Sequence, residues 1–341
     1  EQESAEYVGC VGKNASVAAV VLAGGSGERM PAYARRVVQD AQTQLFSAQV
    51  WEPKTPYVWQ HASPKASVPL IYEAHVGMAG EAEKVSSYLE FRDSILPRVK
   101  AAGYNTVQLM AIQEHPYYGS FGYQVTNFFA ASSWYGEPED LKYLINKAHG
   151  MGLRVLLDVV HSHACPNEGE GLNGQDGTDG QYFLSGGEGW HPAWGTRLFN
   201  YGRYEVLHYL LSNLKFWLEE YHFDGFRFDG VTSMIYKDHG LGSAFTGYDM
   251  YFSMNTDLDA INYLQLANEL IHEVHPKALT VAEDIYVFSR FCSSNESVMS
   301  MMKICTVLLS KPNPTTSRQM PSGVCVLCWP LWIWRELVLT G

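Results

Sequence analysis

The stretch Tyr221-His-Phe-Asp-Gly-Phe-Arg-Phe-Asp-Gly-Val231 decides how this chain is read. Phe226 and Phe228 alternate with Arg227 and Asp229, the period of two expected of a strand with unlike faces. An arginine and a carboxylate then share one face, and Gly230 ends the strand with Asp229 at its carboxyl end. In a parallel α/β barrel that end carries the catalytic groups. The same residues also suit a structural Arg–Asp pair, so the surrounding chain has to decide.

Outward from this stretch, strands and helices alternate from residue 69. Pro69–His75 reads as a first strand, followed by a helix over Phe91–Ala102 with Ile95, Leu96 and Val99 on one face. Thr106–Ala111 reads as a second strand. Pro138 opens a helix that turns Leu141, Leu144, Ile145 and Ala148 inward and closes at Gly150. Arg154–Val160 is a third strand, apolar nearly throughout, as when both faces are buried. A longer helix carries Leu207, Leu210, Leu211, Leu214, Trp217, Leu218 and Tyr221 at three- and four-residue spacing and leads into the 226–229 strand. A helix over Leu258–Val274 stops before Pro276, and Leu279–Ala282 is a fifth strand. Such repeats suit an open doubly wound sheet or a (β/α)8 barrel. The long insertion Ser162–Asn200 follows the carboxyl end of the third strand, where barrels build their sites, and favours the barrel.

Residues 1–60 read as β and loop. Val17–Leu22 is a short apolar strand, and the glycines of 24–27 resemble the phosphate loop of sugar nucleotidyltransferases. Pro31 stands where that loop would open a helix, so a hairpin turn is the preferred reading. From residue 292 onward the periodic signals fade. The apolar run Val324–Trp334 is too short to span a bilayer and is interrupted by Pro330. Cys325-Val-Leu-Cys328 lacks the second ligand pair that a zinc site needs.

Of the 341 residues, 46% are apolar and 18% charged, enough for a sizeable core. The net charge of −12 argues against nucleic acid or an anionic membrane as partner. The 21 Tyr and 9 Trp suit a sugar-stacking cleft as well as an aromatic core. Six cysteines without a disulfide framework suggest a reducing compartment, and the start at Glu1, with neither Met nor an apolar leader, reads as a fragment or processed form that is not secreted.

Three strand ends carry the chemistry: Asp158-Val-Val-His161-Ser-His163, Arg227-Phe-Asp229 and Glu283-Asp284. Two carboxylates about 5–5.5 Å apart are what a retaining glycoside reaction requires, one attacking the anomeric carbon and the other moving the proton. Arg227 is expected to keep Asp229 ionised and aimed, and Glu283 to act as an acid whose pKa a closed cleft would raise. His161-Ser-His163 resembles the HxH of metal-dependent amidohydrolases. No histidine follows the fourth or fifth strand within two residues, however, so a histidine donating to a sugar hydroxyl is preferred to a metal site, with a packed core role left open for His161.

These residues resemble the first three signature regions of the α-amylase superfamily (158–163, 225–234 and 282–284), and in detail the eukaryotic starch and glycogen branching enzymes. Ile71-Tyr-Glu-Ala-His-Val-Gly-Met78, Ala111-Ile-Gln-Glu-His115, Ser120-Phe-Gly-Tyr-Gln124, Gly177-Thr-Asp179 and Arg197-Leu-Phe-Asn200 share the likeness, which runs from about Met30 to Asp284. The resemblance implies Asp229 as nucleophile, Glu283 as acid/base, Arg227 and Asp158 as their supports, and His163 and Tyr123 as donor-sugar contacts. It further implies an α-glucan substrate (amylose, amylopectin or glycogen), transfer of an α-1,4 chain to a 6-hydroxyl, no cofactor, a monomer, and a plastid or cytoplasmic location. The alternatives are an α-glucan hydrolase and a catalytically dead glucan-binding fragment.

The departures are a missing fourth-signature His-Asp after Glu283, Gly174-Gln175 where the family usually has Met-Phe, and Gly195 where Asp usually follows the tryptophan. The expected organisation is a β-sandwich remnant over 1–60, an incomplete barrel of the first five strand–helix units over 61–285, and a foreign tail over 286–341. As written, the chain is expected to be inactive.

Overall fold

The computed structural model describes residues 36–39, 42, 46–49, 51, 53, 55–65, 68–174, 177–242 and 253–283. The Val17–Leu22 strand, the 24–27 glycines, Gln175, Asp284, the tail and every cysteine except Cys165 lie outside the described residues.

In chain order the strands are β1 (Arg36–Gln39), β2 (Phe46–Gln49), β3 (Ile71–Ala74), β4 (Thr106–Leu109), β5 (Gln113–Glu114), β6 (Asn127–Ala131), β7 (Arg154–Val159), β8 (Gly225–Phe228) and β9 (Leu279–Ala282). Strands β3-β4-β7-β8-β9 form one parallel sheet whose spatial order follows the sequence. Consecutive order is the rule of a barrel, whereas a doubly wound sheet reverses at a switch point. The fold is an incomplete (β/α)8 barrel. Its inner strands β4 and β7 are buried throughout, while β3 and β9 at the sheet's two ends are partly exposed.

The helices that cover this sheet start and stop for local reasons. Ser87 and Glu90 cap the first, α1 (Tyr88–Glu90): Glu90 N–H donates to Ser87 Oγ at 3.2 Å, and Ser87 N–H donates to Glu90 Oε2 at 2.9 Å. One wide π-turn, Phe91–Ile95, then separates α1 from α2 (Leu96–Ala101). Pro97 has no N–H for the preceding turn, which accounts for the interruption in the single helix read from the sequence. Helix α3 (Pro138–Gly150) starts at its proline, and its predicted inward residues are buried.

Helix α4 (Tyr204–Glu220) buries Leu210, Leu214, Trp217 and Leu218 as expected, on a face wider than the predicted stripe. Tyr209, Asn213 and Phe216 are inside, whereas Leu207 and Leu211 only pack at the margin. After a short α5 (Val231–Ile235), α6 (Leu258–Val274) begins where Asp257 accepts the N–H groups of Asp259 and Ala260 at 3.0 and 3.1 Å.

Two antiparallel pairs were not read from the sequence in detail. Strands β5 and β6 form a short ribbon. The β1–β2 hairpin packs Val37 against Ala130 of β6 and ion-pairs Arg36 with Glu137. Segment 55–65 runs along the amino-terminal end of the barrel. There Trp59 stacks on His222 at 4.0 Å, and Asn146 Oδ1 accepts the N–H groups of Gln60 and His61, both at 3.1 Å. Among the described residues no helix is long and apolar enough to cross a membrane.

Candidate active site

Parallel register sets the site. Asp158 of β7 lies opposite Arg227 of β8. Past the strand ends the ladder continues, Asp229 N–H donating to Val159 O at 3.1 Å and Glu283 N–H to Phe228 O at 3.0 Å. Asp229 and Glu283 therefore leave neighbouring strands at the same level. Gly230 adopts φ 62°, ending β8, and its N–H donates to Glu283 Oε2 at 2.9 Å.

One guanidinium gathers three carboxylates. Arg227 Nη1 donates to Asp158 Oδ1 and Oδ2 at 2.7 and 2.8 Å and to Asp229 Oδ1 at 2.8 Å. Arg227 Nη2 lies 2.9 Å from Glu283 Oε2. The Tyr123 hydroxyl donates to Asp158 Oδ2 at 2.9 Å. Tyr123 is carried by a tight turn, in which Phe121 has φ 54° and Gly122 φ 94°. A Cβ on Gly122 would stand 1.8 Å from Ala111 O, so only glycine fits there.

The charge of the cluster departs from the expectation that Arg227 alone keeps Asp229 ionised. Burial, with Asp158 and Glu283 close by, pushes the Asp229 carboxyl up to about 8 against the pull of Arg227. Burial likewise raises Asp158 to about 6, against Arg227 and Tyr123. Two buried carboxylates beside a single cation are thus both shifted toward the protonated form.

The two histidines of His161-Ser-His163 part company. His161 is fully buried. Its Nε2–H donates to Asn213 Oδ1 at 3.0 Å, and its Nδ1 faces the Tyr263 hydroxyl. Asn213 Oδ1 also accepts from Gln113 Nε2 at 3.2 Å, and its Nδ2 donates to Phe128 O at 2.8 Å. His161 is thus a satisfied core histidine. His163 is also buried, but its Nδ1 has no partner among the described residues, and its ring lies 5.0 Å from that of Trp194. Burial drops its pKa to about 3, which leaves a neutral ring. Among the described residues no group of three or more His, Cys, Asp or Glu could hold a metal ion.

The structure thus brings Asp158, Arg227, Asp229, Glu283 and Tyr123 into one hydrogen-bonded group. It sets His163 beside that group, because Ser162 Oγ donates to Asp229 Oδ2 at 3.4 Å. Sequence reasoning gave no role to Ser162, Trp194 or His191, which also border this end of the barrel. Ser162 sat unread inside a quoted motif, and Trp194 registered only as the neighbour of an unusual glycine.

Residues 94–189 match the family described as Alpha amylase, catalytic domain. Over 275 residues the chain is 56% identical to a 1,4-alpha-glucan-branching enzyme of Aspergillus oryzae, covering 78% of this chain and 40% of that protein. The chain belongs to the α-amylase family. A Dictyostelium discoideum 1,4-alpha-glucan-branching enzyme is 55% identical over 265 residues, 77% of this chain and 39% of its own length. The Solanum tuberosum 1,4-alpha-glucan-branching enzyme is 56% identical over 267 residues, 76% and 31%. The chain therefore spans 40% or less of each of these relatives. A crystal structure from Salmonella typhimurium assigned as an alpha amylase superposes with a TM-score of 0.54 at 24% identity, covering 74% of this chain and 37% of that one, a likeness of fold.

Proposed function

We propose that this chain carries the catalytic residues of an α-glucan branching reaction, a retaining double displacement that moves an α-1,4-linked chain onto a 6-hydroxyl. The observation that carries the reading is the single guanidinium of Arg227 bonded to Asp158, Asp229 and Glu283 at three adjacent strand ends. The similarity to branching enzymes supports the choice of transfer over hydrolysis.

Asp229 Oδ1 is held by Arg227, whereas among the described residues Oδ2 has only the long contact from Ser162, so Oδ2 is the attacking oxygen. With Asp229 ionised and Glu283 carrying the proton, Oδ2 bonds to the anomeric carbon as the bond to the glycosidic oxygen breaks, and Glu283 gives that proton to the departing oxygen. In the second step a 6-hydroxyl of an acceptor chain attacks the same carbon. Its proton goes to Glu283, and the Asp229 carboxylate is released. Asp158 fixes Arg227 from below, and Tyr123 and His163 contact the donor sugar, Tyr123 by stacking.

In this reading residues 61–285 are the partial barrel, 1–60 a β-sandwich remnant with its linker, and 286–341 a tail of different origin. The partner is an α-glucan, and the acting unit is a monomer. The Oryza sativa and Arabidopsis thaliana relatives carry chloroplastic/amyloplastic names while the Solanum tuberosum and Aspergillus oryzae ones do not, which supports a plastid or the cytoplasm as the location.

The test is a graft in which residues 30–283 replace the aligned segment of the Aspergillus oryzae relative, incubated with amylose. Falling iodine colour with no new reducing ends until a debranching enzyme is added supports branching. Reducing ends that rise from the start select the hydrolase instead.

A further inference from the structure

We propose that Trp194, backed by His191, is a stacking platform for a second glucosyl ring beside the one bonded to Asp229; this rests on the α-glucan reading above. Trp194 sits at the tip of a closed hairpin. Trp190 and Arg197 pair across its base, His191 N–H donates to Thr196 O at 2.8 Å, and Gly195 N–H donates to His191 O at 2.9 Å. Arg197 anchors the base from within. It is buried, its Nη1 donating to Asn173 Oδ1 at 2.7 Å and to Asp179 Oδ1 at 2.6 Å.

The indole is held in one pose. His191 lies flat against it, with ring centroids 3.8 Å apart and planes 9° apart. His191 Nδ1 also accepts the N–H groups of Ala193 and Trp194 at 3.3 and 3.1 Å. An Nδ1 that accepts bears no proton, in keeping with burial and the nearby His239, which lower His191 to about 4. The ring is therefore a neutral support that pins both the backbone and the indole of Trp194.

That pose points the indole at the reacting centre and leaves it open. A Cβ on Gly230 would lie 3.4 Å from Trp194 Cη2, so the ring edge reaches the residue that follows Asp229. Trp194 is nevertheless 40% exposed, an unusual degree for a large aromatic held this rigidly. Beside it lies His163, whose buried Nδ1 has no partner among the described residues. An exposed indole backed on one side by His191 suits a pyranose, whose C–H face stacks on an open aromatic ring.

The experiment is calorimetric titration of the whole chain with maltoheptaose, comparing wild type with W194F and W194L. The expected result is binding weakened about five- to tenfold in W194L and within about threefold of wild type in W194F. Unchanged binding by W194L overturns the platform and leaves the α-glucan reading standing. Absence of binding by the wild-type chain overturns both. Should W194L fail to fold, oxidation of wild-type indoles by N-bromosuccinimide, mapped by peptide mass, decides. Saturating maltoheptaose is expected to protect Trp194, and equal oxidation with and without it overturns the inference.

Discussion

Arg227 Nη2 lies 2.9 Å from Glu283 Oε2, so a side chain rooted in β8 holds the carboxylate that follows β9. Nη1 of the same guanidinium reaches Asp158 and Asp229. Only a planar, forked cation serves both directions at once. Arg227→Lys keeps the charge and loses the fork, leaving part of the carboxylate cluster unpaired. We expect a loss of roughly 3 kcal/mol of stability in urea unfolding, growing as the pH is raised and more of the cluster ionises.

Asp229 itself is expected to weaken the fold at neutral pH. Its folded-state value of about 8 lies above the ordinary 3.8, so folding favours the protonated form. That contribution is complete below the ordinary value and is lost as pH rises through about 8. Asp229→Asn mimics the protonated form. The variant is therefore expected to melt a few degrees above wild type at the alkaline end of this window and close to it at the acid end. Equal melting shifts at both ends would contradict the account.

Asp224, at the opposite end of β8, has the reverse sign. It is buried, where desolvation alone would raise its pKa. Its contacts with His149 Nε2 at 2.9 Å, with His275 and with Ser63 Oγ win, and hold it well below the usual carboxylate range. Its stabilisation is therefore present above the ordinary carboxylate value and is lost as pH falls through the depressed one. Asp224→Asn is expected to cost about 2–4 kcal/mol at neutral pH and progressively less in acid, read from denaturant midpoints across that range.

The buried Asn213 has three partners, His161, Gln113 and Phe128 O. Asn213→Leu fills similar space and removes the acceptor of His161 Nε2–H and of one Gln113 Nε2 hydrogen. A destabilisation of about 2–4 kcal/mol is expected, together with weaker maltoheptaose binding, because His161 and His163 share one loop.

What could be read from the sequence was what short periods and end signals encode. The alternation Phe226-Arg-Phe-Asp229 placed two functional side chains on one face, and Gly230 marked where they emerge. Pro138, and Val274 two residues before Pro276, gave helix bounds that the structure keeps. Long-range polar pairing was not legible. Nothing in the text around Asn213 distinguishes a core amide from a surface one, since its partners lie near residues 113, 128 and 161. The upward shift of Asp229 was not legible for the same reason: burial, its largest cause, and the nearby Asp158 and Glu283 come from other parts of the barrel, whereas Arg227, which opposes them, is two residues away in sequence. The π-turn at Phe91–Ile95 was missed, although Pro97 announced it. The Trp194 hairpin depends on Arg197 and on residues 173–189, a closure that no local pattern shows.

The most direct test of the central claim is to trap the intermediate. The graft carrying residues 30–283 would be incubated with a fluorinated maltosyl fluoride that accumulates the glycosyl-enzyme, then digested and mapped by mass spectrometry. The account predicts one sugar adduct, on the peptide containing Asp229, and none when Asp229 is replaced by Asn. An adduct on Asp158 or Glu283, or an adduct that survives Asp229→Asn, would contradict it.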